Sequence, residues 1–140
     1  MAEETEEKQV ILECTSKFFV GTEDAYYADG SVGGWWLIKI FGDVGNELAV
    51  RYDGDLALLV AIEKAEFTAP IYVGDMIEVT ARLTKVGNTS RRHEFVAKKI
   101  IAGYRDPEHI TQGDVLDPPE VVGTMVAIDV CPKDKQRIKH

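Results

Sequence analysis

A helix that is apolar on nearly all sides is predicted within residues 31–55. The segment opens on Gly33 and Gly34, and apolar side chains dominate the next turns: Trp35, Trp36, Leu37, Ile38, Ile40 and Phe41. Apolar residues then recur at three- and four-residue steps as far as Tyr52, which is the helical period. The turn-forming sequence of residues 53–55 ends the pattern. A helix that is apolar all round has to be buried, so the rest of the chain is expected to enclose it.

The remaining sequence has the patterns of strands. Residues 56–62 are apolar on both faces, as in a central buried strand, and residues 76–86 alternate between apolar and polar. Gly87-Asn88 predicts a hairpin turn to a returning strand. The other predicted elements are strands at 9–14, 66–69, 90–102 and 120–130, a turn at 72–75, and loops at 21–30 and 103–119. One buried helix among several antiparallel strands indicates an α+β fold.

Composition restricts the partners and location of the protein. For 140 residues we expect a single domain over 9–132, flanked by a disordered acidic tail (1–8) and a basic C-terminal tail (133–140). A net charge of -8 argues against binding to nucleic acid or to anionic membranes. The sequence shows no signal-peptide pattern and no apolar run near the roughly 20 residues of a membrane span, so a cytoplasmic protein is predicted. Cys14 and Cys131 are expected to be inert packing residues.

Two carboxylates within the predicted helix are the leading candidates for catalysis. Asp43 and Glu47 are four residues apart, so they share one face of the helix. Gly42 and Gly45 lie beside them, and a glycine inside a helix costs about 1 kcal/mol relative to alanine. Such glycines indicate that a ligand or a strand approaches the backbone closely. Two neighbouring carboxylates on a buried helix raise one another's pKa, which suits acid–base catalysis near neutral pH.

A second interpretation of the same face does not involve catalysis. Lys39, Asp43, Glu47 and Arg51 follow one another at four-residue steps and can form two helix ion pairs. Each pair stabilises a helix by roughly 0.2–0.5 kcal/mol and requires only a solvated surface. The pattern alone leaves both interpretations open.

The order of elements resembles the hotdog fold, in which a curved antiparallel sheet wraps one central helix. GGWWLIKIFGDVGNELAVRYDGD is similar to the central helix of hotdog acyl-CoA enzymes, and residues 62–75 and KVGNTS resemble the segments after it. A narrower resemblance, carried by FGDVGNEL, RYDGD, EFTAPIYVGD, KVGN and PKDKQR, is to the β-aminoacyl-CoA ammonia-lyases of amino-acid fermentation. EDAYY resembles their N-terminal loop, where a histidine stands at the position of Tyr26, so Tyr26 is assigned no catalytic role.

This resemblance implies the removal of ammonia from a short β-aminoacyl-CoA to give an enoyl-CoA such as crotonyl-CoA. One carboxylate, preferably Glu47, removes the acidic Cα proton, and the other, Asp43, holds the ammonium group. Backbone N–H groups near Gly33 and Gly34 stabilise the enolate oxygen. No metal and no cofactor is implied, because coenzyme A is part of the substrate.

The remaining candidate positions concern substrate binding. The resemblance places an acyl pocket at Phe67, Ala69 and Pro70, although Phe67 is equally compatible with the core. The CoA phosphates are assigned to a turn and the basic residues after it: Val86, Gly87, Asn88, Thr89, Ser90, Arg91 and Arg92, with Lys98 and Lys99 as further candidates. Basic side chains on an exposed strand are also commonly free in solvent, so both interpretations stand. Three scattered histidines are predicted to lie at the surface: His93, His109 and His140.

Two other functions are compatible with the same fold. An acyl-CoA thioesterase would aim a helix carboxylate at water and the thioester carbonyl, and fold alone does not separate it from a lyase. A non-catalytic acyl-CoA-binding module is the third possibility. Hotdog domains generally join their sheets edge to edge, so we expect a homodimer or higher homo-oligomer with sites at the dimer interface.

Overall fold

The chain folds as a long helix packed against a curved antiparallel sheet. A computed structural model describes residues 9–140, and the predicted acidic tail of residues 1–8 lies outside the described residues. The elements are β1 (Leu12–Phe19), α1 (Gly34–Asp53), β2 (Leu58–Phe67), β3 (Met76–Val86), β4 (Ser90–Gly103) and β5 (Gly113–Val130). The strands follow the order β1-β3-β4-β5-β2, and every neighbouring pair is antiparallel. The predicted α+β hotdog architecture is confirmed.

Helix α1 is buried along one side only. The buried side packs against the sheet and forms the centre of the core: Leu37, Ile40, Phe41, Val44, Leu48 and Ala49. The opposite side is exposed and carries Trp35, Lys39, Gly42, Asp43, Asn46, Val50 and Arg51. The prediction of burial on nearly all sides is therefore wrong for the single chain, because its sheet covers one side of the helix.

The two glycines inside α1 have different surroundings. A Cβ atom at Gly45 would lie 3.1 Å from the ring of Phe95 on β4, so the close approach expected there is a strand contact. A Cβ atom at Gly42 would meet no described atom within 4 Å. The helix ends at Gly54, whose φ of 75° is the left-handed conformation of a glycine cap.

Strand β2 lies at an edge of the sheet and, among the described strands, pairs only with β5. The prediction of a central buried strand is therefore wrong for the single chain. Apolar side chains along β2 are exposed: Leu58, Leu59, Val60, Ile62 and Phe67. An apolar pattern on both faces indicates that a strand is covered, but it does not indicate which chain covers it.

Strand β5 begins earlier than the sequence predicts. The strand starts at Gly113, so the predicted loop over residues 103–119 is reduced to residues 104–112. The register with β4 jumps from Glu120 to Val115, and Pro118 and Pro119 fall within that irregularity. A proline is tolerated there because a bulge does not require its missing N–H for the ladder.

The two ends of the described chain also differ from expectation. Strand β1 spans Leu12–Phe19 rather than residues 9–14. Half of its side chains face solvent, so the strand contains too many polar residues to be recognised by an apolar run. Residues 133–140 are predicted to form a separate tail, but they pack on the end of α1. The N–H groups of Arg137 and Ile138 lie 2.8 and 3.3 Å from the carbonyl oxygen of Asp53. Within residues 9–140, no helix combines the length and apolar character that crossing a membrane requires.

Candidate functional site

A cavity of about 350 Å³ lies at the N-terminal end of α1. Its lining includes Gly33 and Gly34 from the start of the helix, together with Phe67, Ala69 and Pro70 from the end of β2 and the loop after it. The structure therefore brings together all five residues that the sequence assigned to oxyanion stabilisation and to an acyl pocket.

The first residues of α1 border this cavity. Gly33 is the N-cap residue, and its carbonyl accepts a hydrogen bond from Trp36 N at 3.0 Å. The first N–H groups of a helix have no partner within it, and the helix dipole adds partial positive charge at this end. A Cβ atom at Gly34 would lie 3.0 Å from the Phe67 ring, so glycine allows the ring to approach the backbone. The arrangement suits an oxygen atom that gains negative charge.

Asp43 and Glu47 lie on the exposed side of α1. Lys39 Nζ is 3.2 Å from Asp43 Oδ2, and Arg51 Nε is 2.8 Å from Glu47 Oε2, so both ion pairs allowed by the sequence are formed. The Asp43 and Glu47 side chains are 47% and 41% exposed. Exposed ion pairs contribute only roughly 0.2–1 kcal/mol, and these two form the solvated helix face that the second interpretation describes. Both carboxylates remain accessible to a substrate.

Glu47 also lies near the first strand. The pKa of the Cys14 thiol on β1 is raised, first by burial and then by the negative charge of Glu47. Burial likewise raises the pKa of Cys131. Both cysteines are free and buried, as expected for packing residues.

Within one chain, Asp43 and Glu47 are far from the cavity at the start of the helix. At 1.5 Å per residue, Asp43 lies ~14 Å and Glu47 ~20 Å along the helix axis from Gly34. A base and an oxyanion donor must reach neighbouring atoms of one thioester. One chain therefore does not assemble all the predicted catalytic groups around one substrate.

Arg91 is buried beneath the turn between β3 and β4. Its Nε and Nη2 atoms donate to Asp53 Oδ2 and Oδ1 at 2.7 and 2.9 Å. Its Nη1 atom donates to the carbonyls of Gly87 and Ser90, each at 3.0 Å. The side chains of Arg91 and Asp53 are 3% and 1% exposed. The structure thus differs from the prediction that Arg91 contacts a CoA phosphate, because its donors are used inside the domain.

The other basic candidates on β4 have different surroundings. Arg92 Nη1 is 2.6 Å from Glu63 Oε1, and its side chain remains 30% exposed. Lys99 is buried with its Nζ 3.0 Å from Asp75 Oδ2, so it fixes the β2–β3 loop rather than reaching solvent. Lys98 is partly exposed and lies opposite Glu78 in the sheet.

His93 is buried in the core, so its predicted surface position is wrong. The residue is 2% exposed, and its Nδ1 lies 3.6 Å from Asp129 Oδ2. Burial, followed by the positive charge of Arg91, lowers the pKa of His93 from 6.5 to about 4. The sequence could have indicated this burial. His93, Phe95 and Ala97 are two residues apart along β4, so all three side chains lie on the same, buried face of the strand.

We expect the buried His93 to make the protein less stable in mild acid. Because its pKa is lower in the folded state, the unfolded chain binds more protons, and stability falls as the pH decreases from 6.5 to about 4. At about 1.4 kcal/mol per pKa unit, the loss is roughly 3 kcal/mol. Urea unfolding measured between pH 7 and pH 4 checks this. His93→Gln should flatten the dependence, and an unchanged slope would contradict the assignment.

A second cavity, of about 390 Å³, lies between the β3–β4 turn and the C-terminal segment. Three residues of the predicted CoA-binding turn line it: Val86, Gly87 and Asn88. Ser90 closes the turn through a hydrogen bond from Gly87 N at 2.9 Å, and Thr89 O accepts one from Cys131 N at 2.8 Å. Among residues 9–140, no three His, Cys, Asp or Glu side chains are grouped so as to hold a metal ion.

Comparisons with known proteins find relatives over nearly the whole chain. The chain is 42% identical over 121 residues to a 3-aminobutyryl-CoA ammonia lyase of Acetoanaerobium sticklandii, covering 86% of this chain and 95% of that protein. The solved structure of β-alanyl-CoA:ammonia lyase from Clostridium propionicum matches at 33% identity with a TM-score of 0.88, covering 94% of this chain and 93% of that chain. The hexameric thioesterase y2039 from Yersinia pestis shares the fold, with a TM-score of 0.66 at 17% identity, covering 96% and 95% of the two chains.

A match to a protein-family model covers the part of the chain that holds helix α1. Residues 34–94, which include the candidate carboxylates, match the Thioesterase superfamily. The chain is thus a hotdog-fold domain, and its residues 34–94 are similar to that superfamily. The chain belongs to the β-aminoacyl-CoA ammonia-lyase family, as the sequence resemblance predicted.

Proposed function

We propose that the protein is an ammonia-lyase that converts a short β-aminoacyl-CoA, such as 3-aminobutyryl-CoA, into ammonia and an enoyl-CoA such as crotonyl-CoA. The observation that carries the proposal is the 42% identity to 3-aminobutyryl-CoA ammonia lyase over 95% of that protein's length. The exposure of both Asp43 and Glu47 on the accessible side of α1 supports it. We expect this activity in the cytoplasm.

The proposed reaction removes a proton from Cα and ammonia from Cβ of the acyl group. Glu47 accepts the Cα proton, and the electron pair of the C–H bond moves toward the thioester carbonyl, whose oxygen becomes an enolate. The N–H groups at the helix start near Gly33 and Gly34 stabilise that oxygen. The carbonyl then re-forms, the Cα–Cβ double bond forms, and the C–N electron pair leaves with the nitrogen as ammonia. Asp43 holds the ammonium group until that bond breaks. No step requires a metal or redox cofactor.

We propose that a second copy of the chain completes the site. The separation of ~14–20 Å within one chain disappears if a partner helix runs in the opposite direction and places its N-terminal N–H groups beside Asp43 and Glu47. The exposed side of α1 and the open surface at Gly42 leave room for a partner helix. Edge-to-edge pairing of β2 with its copy would satisfy backbone groups at that edge and cover its exposed apolar side chains.

Val60→Lys is expected to weaken this dimer at least about tenfold and to lower activity with it, since a charge on an edge strand opposes pairing with another strand. Val60 is 57% exposed in the single chain, so the fold should tolerate the lysine. Sedimentation velocity measures the dimer, and thermal unfolding reports on the fold. Val10→Lys, just before β1 at the opposite edge of the sheet, is the matched control. A dimer of unchanged stability in the Val60 variant would contradict the proposed interface.

Measuring ammonia and free thiol in the same assay tests the lyase activity and distinguishes it from thioester hydrolysis. With 3-aminobutyryl-CoA or β-alanyl-CoA, we expect ammonia and an enoyl-CoA in equal amounts and no free thiol. The match to the Thioesterase superfamily favours acyl-CoA hydrolysis as a second candidate, which would release free CoA thiol. Thiol release without ammonia would replace the lyase proposal with hydrolysis. CoA binding with neither product would indicate a non-catalytic acyl-CoA-binding module.

A further inference from the structure

The C-terminal segment brings positive charge to the cleft at the β3–β4 turn. Residues 133–140 contain four Lys or Arg and one Asp, in a chain whose net charge is -8. In the part of the chain that the structure describes, no Asp or Glu lines the cleft. Polar residues from the segment and the turn border it: Lys133, Gln136, Lys139, His140, Gly87 and Asn88.

Lys133 and Lys139 are available to a ligand. Both residues are exposed, and neither forms an ion pair with another residue of the 9–140 range. Arg91 also lines the cleft, but Asp53 balances its charge at 2.7 Å. The two lysines therefore supply uncompensated positive charge at a concave surface, which favours an anion.

The segment that carries these lysines is held in a defined position. Gln136 Nε2 donates to the carbonyl of Asn88 at the tip of the turn at 3.1 Å. The His140 ring stacks on Tyr52 with 3.9 Å between centroids, and its Nε2 lies 3.1 Å from Asp53 Oδ1. The cleft is thus formed before a ligand arrives, which lowers the entropy lost on binding.

We propose that this cleft binds phosphate groups at the nucleotide end of coenzyme A, with Lys133 and Lys139 as direct phosphate ligands. The assignment rests on the acyl-CoA activity proposed above and adds the C-terminal segment to the substrate site. Arg91 acts as a positioning residue, since its hydrogen bonds hold the turn and Asp53.

The position of the cleft along α1 agrees with this assignment. Tyr52, which lines the cleft, follows Glu47 by five residues, or ~7.5 Å along the helix axis. The nucleotide end would bind at the same end of the helix as the proposed base, and the flexible pantetheine arm would span the remaining distance to the acyl group.

Calorimetric titration of the Lys133→Ala/Lys139→Ala double variant tests the cleft. The probes are coenzyme A, dephospho-coenzyme A without the 3′-phosphate, and pantetheine without the nucleotide and diphosphate. Because charge-assisted hydrogen bonds are stronger than neutral ones, we expect the affinity for coenzyme A to fall at least about tenfold. Pantetheine affinity and kcat/KM for a β-aminoacyl-pantetheine should be unchanged. Lys135→Ala is the matched control for the single variants Lys133→Ala and Lys139→Ala, because each removes one charge from the same segment and Lys135 does not line the cleft.

The outcomes distinguish this proposal from the proposed function. If the wild type binds coenzyme A and the double variant binds it equally well, the cleft is not the phosphate site, while the lyase activity stands. If Lys135→Ala loses as much affinity as Lys133→Ala and Lys139→Ala each do, general charge attraction explains the effect and the cleft is rejected. If the wild type neither binds coenzyme A nor releases ammonia from a β-aminoacyl-CoA, both proposals fail. Recovery of affinity in Lys133→Arg/Lys139→Arg would support direct phosphate contact.

Discussion

Glu47→Gln is expected to lower the rate of ammonia release by about 100- to 10,000-fold, which is the range that general-base catalysis contributes. The amide keeps the shape of the side chain but does not accept the Cα proton. KM should change little, because the proposed contacts to coenzyme A lie at the turn and the C-terminal segment. The addition of ammonia to crotonyl-CoA, followed by the loss of enoyl absorbance, measures the same step in reverse. A rate near that of the wild type would remove Glu47 from the mechanism.

Arg51→Ala separates catalysis from the helix ion pair. Arg51 Nε is 2.8 Å from Glu47 Oε2, so this variant breaks the same ion pair but keeps the carboxylate. Each of the two variants is expected to change the free energy of unfolding by less than about 1 kcal/mol. If the ion pair is the whole role of Glu47, both variants retain activity; if Glu47 is the base, only Glu47→Gln loses it. The matched comparison for the second carboxylate is Asp43→Asn against Lys39→Ala.

Features that depend on neighbouring residues in the chain were predicted correctly. The helix, the hairpin at Gly87-Asn88 and the turn at residues 72–75 are all present, because periodicity and turn chemistry act over a few residues. The resemblance to hotdog enzymes also selected the residues that line the cavity at the helix start. Their grouping depends on the fold, which the order of elements identified.

Features that depend on distant parts of the chain, or on another chain, were not predicted. Arg91 is buried because Asp53, 38 residues away, meets it beneath the turn, and no local pattern reports that pairing. The edge position of β2 and the exposed side of α1 depend on how many chains cover them. In both elements the apolar sequence indicated burial, while the single chain leaves the surface open.

The buried pair of Arg91 and Asp53 gives the largest expected effect on stability. Arg91→Ala should lower the free energy of unfolding by about 3–5 kcal/mol, because it leaves the Asp53 carboxylate buried without its bidentate partner. For a domain of this size, that corresponds to a decrease in Tm of roughly 10–20 °C. Chemical denaturation at pH 7, with circular dichroism, measures it.

The double variant Asp53→Leu/Arg91→Met should be less destabilised than Arg91→Ala, since replacing a whole buried ion pair by apolar residues is often nearly neutral. The pH dependence provides an independent check. Burial alone raises the pKa of Asp53, but hydrogen bonds from Arg91 and His140 outweigh it and lower that pKa below 3.8. A lowered carboxylate pKa stabilises the fold above 3.8, and this stabilisation is lost as the pH falls through the folded pKa. The deficit of Arg91→Ala should therefore be largest at neutral pH and shrink as the pH falls, first as the buried Asp53 of the variant takes up a proton and then as the pH passes the lowered folded pKa of the wild type. Equal losses in the single and double variants would show that packing around Arg91, rather than its charge, holds the turn against the end of α1.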